Sequence, residues 1–118
     1  MPNKGIEKVH AVICVTDFDA ALDWYEALLG RGPDQEPMEG LAEWYLGGAG
    51  AIQVFRDPDR AGAGLLTLSV SDVDKYAAVL GSGGLDVAEP QDTEGGFRVT
   101  TLADPAGNTV TLAQRAAT

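Results

Sequence analysis

The chain has 118 residues, 45% of them hydrophobic, enough for one domain with its own core and no need of disulfide staples. Eighteen acidic against eight basic side chains give a net charge of −10, which repels phosphate backbones and anionic lipid surfaces, so neither nucleic acid nor a membrane is an expected partner. The opening MPNKGIEKVH lacks an apolar signal-peptide core, no apolar run reaches spanning length, and the single cysteine, Cys14, suits a reducing compartment, so a soluble cytoplasmic protein is expected.

The first predicted element is the apolar strand beginning at Val9, which runs into a helix start at Val15-Thr-Asp-Phe-Asp19. Thr16 and Asp19 have capping-box spacing with aspartate in place of glutamate, and Asp17 is an equally suitable cap. Phe18, Ala21, Leu22, Tyr25, Leu28 and Leu29 then recur at helical spacing until Gly30 stops the helix. Extended segments follow at Gln35 to Met38, Glu43 to Leu46 and Ala51 to Phe55, the last two joined by Gly47-Gly-Ala-Gly50. The run Asp57 to Gly64 leads into a second copy of the pattern, offset by 55 residues, in which Gly64 to Asp74 again ends in Val-Ser-Asp-apolar-Asp. Val73, Tyr76, Ala77 and Leu80 predict a second helix ending in Gly81-Ser-Gly-Gly84, followed by extended segments at Leu85 to Glu89, Phe97 to Leu102 and Asn108 to Ala113.

The expectation is therefore an α+β fold of two βαβββ modules forming a mixed-sheet cup. Module one covers about 6–57, a linker about 58–63, and module two about 64–115. One helix per module covers one sheet face and leaves the other partly open. Alternation puts Ala11, Ile13, Val15, Ile52, Val54, Leu66, Leu68, Val110 and Leu112 under the helices. It puts His10, Val12, Cys14, Gln53, Phe55, Leu65, Thr67, Thr109 and Thr111 on the open face. If Gly47 to Gly50 closes a four-residue hairpin loop, Trp44 sits opposite Gln53 and joins them. Trp24 and Tyr25 read as packing residues, and the glycine-rich stretches lack the phosphate-loop lysine or dinucleotide fingerprint and read as turns.

The duplicated strand, helix and three-strand order, Val15-Thr-Asp-Phe-Asp19, Trp24-Tyr25 ahead of Leu28-Leu29-Gly30, and Asp104-Pro-Ala-Gly-Asn108 before the last strand resemble the vicinal oxygen chelate superfamily over nearly the whole chain. That superfamily includes glyoxalase I, bleomycin-resistance proteins and extradiol dioxygenases. The resemblance implies a divalent-metal site at His10, Gln53, Leu65 and Thr111. Leucine has no lone pair, and a neutral threonine hydroxyl is a poor ligand beside imidazole or carboxylate, so no metal or other cofactor is expected.

Two functional classes remain open. One is a metal-free binding protein that holds an apolar or aromatic small molecule in a cup of His10, Val12, Trp44, Gln53, Phe55, Leu65, Thr67 and Thr111. The other is an enzyme of the lyase, isomerase or dioxygenase class, with His10 as general base or with a divalent metal recruited through Glu43 or Glu89. His10 also reads as a hydrogen-bonded inward histidine with no catalytic part. The superfamily resemblance implies a homodimer, with modules pairing within or between chains.

Overall fold

A computed structural model describes residues 5–115; the first four residues of the opening segment lie outside it. The elements run β1 (Val9–Val15), α1 (Phe18–Leu29), β2 (Gln35–Met38), β3 (Leu41–Tyr45), β4 (Gly50–Arg56), β5 (Leu65–Ser69), α2 (Val73–Ser82), β6 (Gln91–Asp92), β7 (Phe97–Ala103) and β8 (Thr109–Arg115). They form two four-stranded mixed sheets, ordered β1-β4-β3-β2 and β5-β8-β7-β6, so the same βαβββ topology is used twice. In each sheet the first strand pairs parallel to the last, which requires a crossover, and the module's helix supplies it.

Both helices start on the aspartates that the repeat shares. Asp17 accepts the Ala20 N–H and Asp72 accepts the Lys75 N–H, each at 3.1 Å, so Asp17 rather than Thr16 caps α1 and its repeat equivalent caps α2. Gly30 closes α1 at φ 79°, a backbone state that glycine adopts without strain. The inward faces of both modules meet in one core containing Ile13, Tyr25, Trp44, Ile52, Leu66, Val110 and Leu112. Tyr76 on α2 donates a 2.7 Å hydrogen bond to the Leu28 carbonyl of α1, tying the two helices together, and the molecule measures 42 × 41 × 25 Å.

The segment expected as a strand at Leu85 to Glu89 forms no ladder; β6 is two residues further on and only Gln91–Asp92 long. Leu85 is drawn back to the helix by its N–H bond to the Leu80 carbonyl, and Leu85 and Val87 pack against the core. Ala88 alone reaches β7, donating to the Thr101 carbonyl and accepting from the Thr100 hydroxyl, and Pro90 has no N–H to extend the pairing.

A buried polar knot joins the modules. The Asp104 carboxylate accepts from the Tyr25 hydroxyl at 2.7 Å and from Ala106 N, Asn108 N and Asn108 Nδ2 at 2.9 Å. Asn108 Nδ2 also donates to the Cys14 carbonyl at 2.8 Å, while its oxygen accepts from Gly62 N at 3.0 Å and Gly64 N at 2.7 Å. A Cβ on Gly64 would lie 2.9 Å from Asn108 Oδ1, so this approach needs glycine. Asn108 is 0% exposed, so Asn108→Ala strands several buried partners at once. The expected cost is about 2–4 kcal/mol of unfolding free energy, read from urea denaturation; a loss within experimental error would show the knot to be dispensable.

Candidate functional site

The open face of the first sheet follows from strand register. His10, Ala51 and Tyr45 form one row across β1, β4 and β3; Val12, Gln53 and Glu43 form the next; Cys14, Phe55 and Leu41 form the third. Gln35 of β2 flanks Glu43 on its other side.

Glu43 is the centre of this face and is only 8% exposed. Gln53 Nε2 donates to Glu43 Oε2, the Tyr45 hydroxyl donates to Oε1 at 3.1 Å, and His10 Nδ1 stands 3.8 Å from Oε2. Lys8 Nζ sits 4.5 Å from the centre of the Tyr45 ring, a cation–π contact. Burial first, and then the Glu43 carboxylate, push the Tyr45 phenol above its ordinary range. The backbone around Tyr45 is fixed by Asp34, whose carboxylate takes the Tyr45 N–H at 2.7 Å and pairs with Arg31; that backbone bond and then Arg31 hold Asp34 below the usual carboxylate range.

On the second sheet Leu65, Thr109 and Ala103 form one row, Thr67, Thr111 and Thr101 the next, and Ser69, Ala113 and Val99 a third. Leu65 is 84% exposed. The Arg115 guanidinium lies 5.0 Å over the Phe97 ring. Among the described residues no side-chain hydrogen bond or ion pair links the His10, Glu43 and Gln53 group to Leu65, Thr67 or Thr111.

Trp44 is not on this face. The β3–β4 ladder continues through Tyr45 opposite Ala51, and the Leu46 N–H bonds to the Gly50 carbonyl, so Trp44 faces Ile52 and Glu43 faces Gln53. The loop is one residue shorter than expected, with Gly47 and Gly48 at positive φ, and that residue reverses the parity of β3. Trp44 is fully buried under α1, its ring centre 6.4 Å from that of Tyr25 and its Nε1 donating to the Arg31 carbonyl at 2.9 Å. Glu43 is therefore the central residue of this face, where alternation from an open-face Trp44 would have turned it inward; the signal that finds it is the glycine pair at Gly47-Gly48, which permits the tighter turn. Glu89 is exposed and contributes nothing to this cluster.

The residues at the four superfamily metal positions do not fit a divalent ion. Leu65 offers hydrocarbon, Thr111 a neutral hydroxyl, and Gln53 turns its amide N–H toward Glu43. Among the described residues no three His, Cys, Asp or Glu side chains are grouped to hold a metal. Away from this face, a cavity of about 370 Å³ opens between the helices, lined by Leu28, Leu29, Val70, Tyr76, Val79 and Leu80. No helix among the described residues is long and apolar enough to cross a membrane.

Residues 9–112 match the Glyoxalase/Bleomycin resistance protein/Dioxygenase superfamily. A glyoxalase/bleomycin resistance protein from Catenulispora acidiphila DSM 44928 superposes with a TM-score of 0.84 at 32% identity, over 91% of this chain and 96% of that one. TnmS3, an antibiotic binding protein from Streptomyces sp. CB03234, gives 0.78 at 24% identity, over 92% and 95%. A bleomycin resistance determinant encoded on the transposon Tn5 gives 0.74 at 21%, over 92% and 97%. The last two similarities show the fold. No curated protein matches the chain.

The tyrosines allow a test of this geometry. Tyr25 and Tyr76 are raised along with Tyr45, Tyr25 by burial and then by Asp104, Tyr76 by burial. The folded chain thus keeps phenolic protons that the unfolded chain releases near pH ~10, so this stabilisation is complete below that pH and is lost as pH rises above it. Phenolate absorbance is expected to develop together with loss of circular dichroism. Ionisation of all three tyrosines near pH ~10 with the fold intact would contradict the packing described.

Proposed function

We propose that this chain, which belongs to the glyoxalase/bleomycin resistance protein/dioxygenase superfamily, is a metal-independent small-molecule-binding protein. It holds an apolar or aromatic ligand against the open sheet face and works as a homodimer, in keeping with a reducing cytoplasmic setting for Cys14. The observation that carries the reading is the composition of that face. Val12, 50% exposed, lies beside Gln53 and near Phe55 on the first sheet, and Leu65, 84% exposed, lies near Thr67 and Thr111 on the second, so on each sheet apolar surface lies open next to hydrogen-bonding groups. His10, Gln53, Leu65 and Thr111 together supply a ligand wall more readily than a metal shell. The fold shared with an antibiotic binding protein and a bleomycin resistance determinant supports the same class.

The second reading, an enzyme with His10 as general base, draws on the nearness of His10 Nδ1 to Glu43 Oε2. At 3.8 Å the pair lies beyond hydrogen-bond reach, so Glu43 does not hold the imidazole in one orientation, and the binding reading is preferred.

Three measurements test the proposal. Chelator-stripped protein titrated calorimetrically with zinc, nickel, manganese and iron(II) is expected to show no micromolar or tighter site; tight binding that disappears in His10→Ala would favour the enzyme. Sedimentation should give a dimer, whereas a monomer at all concentrations would overturn the assembly. In a panel of planar aromatic compounds, Phe55→Ala should weaken any binder by about tenfold. Equal affinity in the two proteins would take Phe55 out of the site.

A further inference from the structure

We infer that Glu43 is a recognition carboxylate, and that the ligand of the open face carries an organic ammonium group beside its aromatic or apolar body. This rests on the small-molecule-binding reading and names the chemical class that reading leaves open. The argument begins with where the charge sits. Glu43 is 8% exposed and lies in the middle strand rows of the sheet, between Gln35 and Gln53, with Val12 and Phe55 close on the same face. A carboxylate is a costly group to bury there, and its neighbours on that face are all uncharged: Gln35 and Gln53 beside it across the sheet, and Leu41 and Tyr45 next to it along β3.

Its partners satisfy geometry and leave the charge uncompensated. Gln53 and Tyr45 give it two hydrogen bonds from neutral donors, about half of what two carboxylate oxygens accept. Five acidic groups at less buried positions have guanidinium partners, Asp34 with Arg31, Glu39 with Arg56, Asp57 with Arg60, and Asp74 and Asp92 with Arg98, while the buried Asp104 is held by four neutral donors inside the polar knot. Glu43 has no Lys or Arg partner among the described residues. Its one ionisable neighbour within ion-pair distance is His10, which carries charge only when protonated, and the nearby Lys8 ammonium rests over the Tyr45 ring.

An incoming ammonium supplies both missing things, N–H donors for the remaining lone pairs and a positive charge for the carboxylate. The aromatic rings of Tyr45 and Phe55 flank the position, giving the cation polarisable faces and its aromatic body a surface to lie on. The net charge of −10 raises the local concentration of such cations and would repel an anionic ligand. A divalent metal is the poorer occupant, because Gln53 and Tyr45 aim hydrogens at the Glu43 oxygens and no third carboxylate, imidazole or thiolate joins them.

The test uses probes of closely matched shape, one charged and one neutral: naphthylethylammonium against naphthylethanol, and anthracenylmethylammonium against anthracenylmethanol, titrated into the full chain. The charged member of each pair is expected to bind at least about tenfold more tightly, and Glu43→Gln should bring that ratio close to unity. The ratio on the unaltered protein stands without any variant, so a folding defect in Glu43→Gln does not blunt the test. Equal binding of charged and neutral members would overturn the role of Glu43 while leaving small-molecule binding in place. Binding of neither pair, nor of any compound in the aromatic panel, would overturn both readings, and displacement of the ammonium probes by stoichiometric zinc would assign the carboxylate to a metal.

Discussion

The hydrogen bonds of Asp104 and Asn108 set the relation of everything else in this fold. The two sheets touch edge to edge through β1 and β5, and that seam is short, so apolar packing alone would leave the angle between the modules loosely defined. Hydrogen bonds are directional where hydrophobic contact is not. By tying Tyr25 of α1, the end of β1 at Cys14, the connection at Gly62 and Gly64, and the start of β8 to one turn, the knot fixes both modules in one frame. Its members are buried and satisfy one another, the condition under which a polar cluster specifies a structure without weakening it. The positions of the open faces relative to each other follow from it.

Much of this was legible in the sequence because the informative signals were local. Period-two alternation in Val9 to Val15 and Asn108 to Ala113 needs only the geometry of a strand, and the 55-residue offset needs only self-comparison. The aspartate caps and Gly30 are likewise decided within a turn of chain. What was not legible depended on contacts made from outside the segment. Leu85 to Glu89 has strand-like alternation, yet Leu85 is claimed by the end of α2 and Pro90 withholds an N–H, so the pairing slips to Gln91–Asp92. The central role of Glu43 was hidden by one residue of loop length, a quantity that alternation does not carry.

That residue is decided by energy on both faces of β3 at once. In the observed register Trp44 fills the space under α1 and finds an acceptor for its Nε1 at Arg31, while Glu43 meets Gln53 and Tyr45. The opposite parity would open a void beneath α1, worth about 3–5 kcal/mol for an aromatic of that size. It would also put a carboxylate into hydrocarbon with no donor beside it, a comparable or larger penalty. The Gly47-Gly48 pair makes the tighter loop accessible, and the packing of β3 makes it obligatory. The chemistry of the open face is thus a by-product of how the core is filled.

The two open faces differ in kind, and the difference bears on assembly. The first carries a polar centre around Glu43 flanked by aromatic rings; the second carries threonine hydroxyls and the projecting Leu65. Val12 and Leu65 stand exposed on the two faces, so a ligand on either would keep water on its far side. A charged pair exposed to water contributes little, and apolar contact contributes only in proportion to the area removed from water. On the proposed reading, then, neither face can bind well alone. On that reading a second copy that set its threonine-and-leucine face opposite a Glu43 face would exclude water from both sides of the ligand and cover Val12 and Leu65 in the same step, so dimer formation and ligand affinity would be two consequences of one buried surface.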